Sequence, residues 1–280
     1  SGARVVLVDH YYFAFAADQV LYVSLGLWVY VKFVSPGGAS WSRTLLPRAK
    51  IGKLVSFGLF PWVSGFLMRA VMKLDYWFVE EFAGLESLGL YSVASNIGET
   101  LFLIPNTVGL VVLSFVADPA TREDSTHRTA SATRLFFFAM IVGSLVLALV
   151  SSQLFAFAFG EEFRASGPLL NRLLWGIVPF SLANIIIGYL LGTKRLKPVV
   201  VSASIGLAIL LTLDFALVPR MGASGAAVGR AVAFNAMALY LVVHFKHASG
   251  MPYRRFLLPS LADIQLIKGL IHKLLGRQRT

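Results

Sequence analysis

The residues best able to do chemistry in this chain are charged and amide side chains set inside long apolar stretches. Arg69, Lys73 and Asp75 follow at helical spacing, with Arg69 and Lys73 one turn apart on the same face. Asn96 and Glu99 come next, then Asn171 with Arg172, Asp214, and finally Arg230 with Asn235. An ionisable group at hydrocarbon depth costs about 2.5 to 3.5 kcal/mol on insertion scales, so each requires a partner, a polar lining or water. Arg69, Lys73, Arg172 and Arg230 are basic residues inside apolar stretches, and a guanidinium such as that of the three arginines can meet phosphate oxygens with paired hydrogen bonds. Asp75, Glu99 and Asp214 are candidates either for ion coupling or for structural ion pairs. The structural alternatives are specific. Lys73 and Asp75 would snorkel at the outer interface, Glu99 would pair with Arg69 or Arg230, and Asp214 would pair with Arg230 across adjacent helices.

Signatures of soluble catalysis are missing. The chain has no GxxxxGK[ST] phosphate loop, no HExxH helix and no cysteine. His244 and His247 form a lone HxxH that carries no metal assignment. The expectation is a protein that is not an enzyme, holds no cofactor or metal, and does not hydrolyse ATP itself. A lipid-dependent transferase would need paired carboxylates or a histidine within a sizeable loop, and no loop here is long enough to host much of a site.

The elements that must position these residues are membrane helices. The 280 residues are 57% hydrophobic and 14% charged, with a mean hydropathy of +0.73. Soluble domains are roughly 45 to 50% apolar and 25% charged. Apolar runs near the length that spans a hydrocarbon core recur at Tyr11 to Val34, Leu54 to Phe78, Leu88 to Val116, Leu135 to Phe159, Pro168 to Leu191, Val199 to Val218 and Ala223 to Phe245. The breaks carry turn chemistry, among them the charged stretch Asp118 to Arg134, Gly160-Glu161-Glu162, Lys194 to Pro198 and Pro219 to Gly222. The fold class is therefore all-α: a polytopic transmembrane helical bundle of about seven spans. Pro61, Pro105 and Pro179 fall inside spans, where each removes a helix hydrogen bond.

Placement of the basic residues gives an orientation. The formal charge is +11, and most of the 25 Lys and Arg fall in one alternating set of loops, such as Arg43 to Lys53, Arg122 to Arg134 and Lys194 to Lys197. The other set carries Glu80, Glu81, Glu86, Glu161 and Glu162. Short cytoplasmic loops retain Lys and Arg, so the carboxyl terminus is expected inside a cytoplasmic membrane and the amino terminus outside. Positive charge placed this way points to anionic lipid rather than nucleic acid as partner. Residues 246–280 read as a basic amphipathic cytoplasmic tail, with Leu261, Ile264, Ile267 and Ile271 at mostly helical spacing.

Three runs, Leu54 to Pro61, Lys73-Leu74-Asp75 and Leu88 to Ala94, are followed by Ile104-Pro105, Phe159 to Phe163, Leu190 to Arg195 and Val218 to Ala227. In this order the chain resembles the MOP superfamily, and within it the polysaccharide-repeat flippases of the O-antigen type. The resemblance implies the second bundle of a transporter built from two six-helix bundles around a central cationic cavity, in which Arg69, Lys73, Arg172 or Arg230 would bind the anionic headgroup of the substrate. It divides the chain into residues 1–53 (last helix of the first bundle and a linker), 54–245 (the six-helix second bundle) and 246–280 (the tail). The missing first bundle would be supplied by the rest of the protein. The implied cargo is a polyprenyl- or dolichyl-pyrophosphate-linked glycan for cell-surface polysaccharide synthesis. A drug or cation antiporter of the same superfamily is the alternative kept open by Glu99 and Asp214.

Overall fold

The computed structural model describes the backbone of residues 48–118, 122–250 and 252–253, and the side chains of 62–118, 129–250 and 252–253. The chain divides after Lys53 into two compact units, and all described side chains belong to the second. The expected first span and the amphipathic part of the tail lie outside the described residues.

Every described element is helical: α1 (Arg48–Thr100), α2 (Leu103–Ala117), α3 (Arg122–Phe159), a 3₁₀ turn (Glu161–Ala165), α4 (Ser166–Gly192), α5 (Lys197–Met221) and α6 (Ala223–Ser249). Among the described residues five helices are long and apolar enough to cross a membrane, so the chain has the helices of a multi-pass membrane protein. The first of these segments, Trp62–Ala117, has 56 residues. Drawn straight at 1.5 Å per residue it would measure about 84 Å, far more than a hydrocarbon core of roughly 30 Å. Gly84 removes that conflict with a φ of 81° and a ψ of 173°, a conformation that disfavours a Cβ. The two arms of α1 return antiparallel, as the contacts of Lys73 with Glu99, Tyr76 with Asn96 and Asp75 with Tyr91 require. The expected turn between Phe78 and Leu88 is thus a single glycine inside an otherwise helical run.

Two other breaks have local causes. Pro105 sits in the first turn of α2, and the chain reaches it through the short bonds Leu101 N to Gly98 O and Phe102 N to Glu99 O. A proline has no N–H to continue the ladder from α1, so the helix restarts ahead of it. Pro198 takes an early position of α5, where a missing N–H is harmless. The stretch Asp118 to Arg134, expected as a loop, is helical from Arg122 onward. Pro219 is also helical, and α5 runs on to Met221.

Helix α4 is central. The most apolar window of its segment is 72% buried, against 17% for that of α3. Glycines set its distance to two neighbours, α2 and α6. A Cβ on Gly109 would lie 2.9 Å from the carbonyl oxygen of Asn184, one on Gly192 would lie 2.9 Å from that of Leu113, and one on Gly176 would lie 2.6 Å from Ala231 Cα. The pair Gly188 and Gly192 is thereby spent on packing α4 against α2, as small residues spaced by four permit. The turns at Gly84 and Gly222 meet at one end, where a Cβ on Gly222 would touch Ala83. At that same end Ser166 Oγ donates to Leu90 O at 2.9 Å. The acidic turns share this end, whereas Lys194, Arg195 and Lys197 lie at the other, where Tyr189 stacks edge-on against Phe245.

Gly176→Ala should force α4 and α6 apart, because the obstructing atoms are backbone. We expect a loss of about 1 to 3 kcal/mol, read as a Tm several degrees lower in detergent. Gly143→Ala, which meets nothing within 4 Å, should leave Tm unchanged or raise it slightly through helix propensity.

Candidate functional site

Two groupings of polar side chains on the membrane-length helices stand out among the described residues, and they differ in kind. One is a closed ionic cluster among the two arms of α1 and α6. Arg230 is 1% exposed and Asp75 fully buried. Arg230 Nη2 donates to Asp75 Oδ1 at 2.5 Å and Nε to Asp75 Oδ2 at 2.6 Å, the bidentate geometry of a guanidinium on a carboxylate. Nη2 also donates to Met72 O at 2.7 Å, and Nη1 donates to Ser95 Oγ and, at 3.3 Å, to Glu99 Oε1. A guanidinium has five N–H groups, and all five are engaged. Tyr91 donates its hydroxyl to Asp75 Oδ2, and the rings of Tyr76 and Tyr91 lie 5.5 and 5.4 Å from the guanidinium carbon.

Lys73 closes the cluster on its open side. Its Nζ lies 3.1 and 3.0 Å from the two oxygens of Glu99, which also accepts from Ser95 Oγ at 3.1 Å. Two carboxylates thus face two cations and the formal charge cancels. Burial is graded, however: the side chains of Glu99 and Lys73 are 25% and 44% exposed. Towards the basic end, Phe102, Phe180 and Phe234 pack on one another with ring centroids 4.8 to 5.9 Å apart.

This geometry decides among the structural alternatives. Asp75 does not snorkel at an interface, since it is buried under Arg230 and Tyr91. Asp214 does not pair with Arg230. It is fully buried with no hydrogen-bond partner for either carboxylate oxygen. It lies beside Gly229, where a Cβ would stand 2.6 Å from Asp214 Oδ1. Glu99 does meet Arg230, together with Lys73. Arg69 lies exposed on the first arm of α1, one turn before Lys73. The helical spacing of Ser95 and Glu99 and of Lys73 and Tyr76 was available in the sequence. The capture of Asp75 by Tyr91 was not, because it depends on the fold-back at Gly84.

The second place is an open cleft of about 500 Å³ between α4 and α6, lined by Pro168, Asn171, Arg172, Trp175, Val228, Ala231, Val232 and Asn235. Arg172 is exposed and donates Nη1 to Pro168 O at 3.1 Å, one turn back on its own helix. It makes no ion pair among the described residues. Trp175, one turn on, is 80% exposed. Asn171 is tied to Ser151 Oγ at 3.2 Å. Asn235 spans the cleft floor, donating Nδ2 to Ala231 O at 2.8 Å and to Trp175 O at 3.0 Å. The second of these bonds has a cause in the sequence: Pro179 has no N–H to offer the carbonyl four residues earlier, so Trp175 O is left for Asn235. A second cavity, about 330 Å³ between α2 and α3, is lined by apolar groups and two threonines and offers no charge.

Graded burial within the ionic cluster predicts unequal mutational costs. Arg230→Ala strands Asp75 in the interior and should cost about 3 to 5 kcal/mol, measured by denaturant unfolding in micelles, with Asp75→Asn in the same chain recovering part of it. Lys73→Ala, at a half-exposed pair, should cost no more than about 1 kcal/mol.

No family model matches the chain, and no solved structure matches it. Among curated proteins it is similar to the lipid II flippase MurJ of Bacillus subtilis (strain 168), with 31% identity over 120 residues. That stretch is 42% of this chain and 22% of the relative, so well under two thirds of the relative is covered. The similarity is a distant one, to a flippase-type transporter.

Proposed function

We propose that the protein translocates lipid-linked precursors across the cytoplasmic membrane, with a polyprenyl- or dolichyl-pyrophosphate-linked glycan as cargo. The observation that carries this reading is Arg172, a guanidinium without a carboxylate partner in an open cleft between two membrane-length helices. It retains N–H donors for phosphate oxygens, whereas Arg230 has none left and Lys73 is held by Glu99. A lone arginine on a lipid-facing helix would be explained by snorkelling. Snorkelling does not account for the carboxamides beside it, because Asn235 lies 12 residues into α6, about 18 Å along its axis. A face carrying these groups is better suited to a hydrated passage or a protein neighbour than to lipid.

The similarity to a lipid II flippase supports the same substrate chemistry, and the MOP resemblance supports a second bundle facing a first across a cationic passage. The separation of acidic and basic turns supports an orientation with Gly84 and Gly222 outside and the Lys194 turn inside, so the Arg172 end of the cleft lies towards the outer face. The cation-antiporter alternative has less to rest on. Glu99 is engaged by two cations, and neither Glu99 nor Asp214 lines the cleft.

The test is translocation of a fluorescent lipid-pyrophosphate oligosaccharide in proteoliposomes holding the full-length protein. A charge-assisted hydrogen bond contributes about 1.5 to 3 kcal/mol, so Arg172→Ala should slow translocation roughly 10- to 100-fold. Its Tm should stay at the native value. An Arg172→Ala protein that translocates at the native rate, or a native protein that exports cationic drugs but moves no lipid pyrophosphate, would reject the reading.

A further inference from the structure

The cleft holds more than a phosphate needs. A phosphate or pyrophosphate accepts hydrogen bonds and has no use for the flat face of an indole or for an amide carbonyl. Asn235 has its amide orientation fixed by its own contacts, because both groups facing Nδ2, the carbonyls of Ala231 and Trp175, are acceptors. Oδ1 is therefore the end left to a ligand, and it seeks a hydroxyl or amide N–H. Trp175 presents an indole that is 80% exposed, one helical turn from Arg172 and rooted at the carbonyl that Asn235 grips. Val228, Ala231 and Val232 supply an apolar wall from α6. A guanidinium, an exposed aromatic ring, a fixed acceptor and an apolar wall within about 500 Å³ form a small-molecule site of ordinary size with few convergent polar groups.

From this set we infer that the cleft is a recognition site for a phosphate-linked sugar, in which Arg172 holds the phosphate, Trp175 stacks on the C–H face of the pyranose and Asn235 Oδ1 accepts from a ring substituent. Trp175 and Asn235 are then specificity residues, reading the sugar, while Arg172 reads the charge. The inference rests on the translocation reading for the source of its ligand, since sugar phosphates also occur free of lipid. A site selecting phosphate alone would gain nothing from the ring face of Trp175, and one selecting an acyl chain alone would gain nothing from Arg172.

The experiment is equilibrium binding to the full-length protein in nanodiscs with three probes: a short-chain polyprenyl diphosphate bearing one N-acetylhexosamine, the same diphosphate without sugar, and N-acetylhexosamine 1-phosphate without lipid. The native protein should prefer the glycosylated lipid over the bare one. Trp175→Leu should weaken the glycosylated probe roughly 3- to 10-fold, the size of a lost aromatic contact, and leave the bare diphosphate unchanged. Trp175→Phe should restore most of the loss, and Arg172→Gln should weaken both lipid probes together. Equal loss of both lipid probes in Trp175→Leu, or no loss of either, overturns the sugar site while leaving translocation standing. Binding of the lipid-free sugar phosphate as tightly as the lipid form keeps the site and removes the lipid-linked source. Failure of all three probes to bind the native protein overturns both.

Discussion

The packing of this bundle depends on how one arginine is kept inside it. A guanidinium carries five N–H groups, accepts no hydrogen bond and does not release its proton, so in a water-free interior it must be met by five acceptors. Arg230 finds them on both arms of α1: the carboxylate of Asp75 and the carbonyl of Met72 on one, Ser95 and Glu99 on the other. None of these arms can slide along α6 without stranding a charge. The fold-back at Gly84 is a precondition, because only an antiparallel return brings Ser95 and Glu99 beside Asp75. Tyr91 and Tyr76 then exclude water, which strengthens the ionic contacts and raises the cost of losing one.

Much of this was legible in the chain, for physical reasons. Apolar length identified the described part of the chain as membrane helices, since membrane thickness sets that length directly. Intramembrane charge identified the residues of the ionic cluster, because each such group has to be accounted for. Partner identity was less legible. Sequence neighbours suggested Asp214 for Arg230, one on α5 and the other on the next helix, yet Arg230 turns to the earlier Asp75. Periodicity says which residues share a helix face and leaves open which helix that face meets. The helical start of α3 at Arg122 was hidden by its polar composition, which resembles a loop in charge though not in backbone preference.

The cleft was half legible. Asn171, Arg172 and Asn235 stood out as polar groups in apolar runs, while Trp175 did not, because an aromatic residue in a membrane helix is unremarkable by itself. Its meaning comes from position, one turn from Arg172 and facing α6. Pro179 contributes in a way that a search for kinks overlooks. It leaves α4 continuous and withdraws one N–H from the ladder, and the carbonyl so released at Trp175 fixes Asn235 across the helix pair. A residue normally considered for bending here supplies an anchor.

Arg230 and Arg172 show how one residue type can serve two ends in a single bundle. What separates them is the local balance of charge. Where cations and carboxylates match and every donor is engaged, as around Arg230, a passing anion gains no new hydrogen bond and would have to displace one already made. Where a guanidinium stands without a counter-charge, as at Arg172, bringing an anion beside it relieves an imbalance rather than creating one. Under the translocation reading proposed above, the first arrangement would hold the helices in register while the second is loaded and emptied. Asp214 fits neither: a buried carboxyl without a donor stabilises nothing and lies outside the cleft. It adjoins α6 at Gly229, the residue before Arg230.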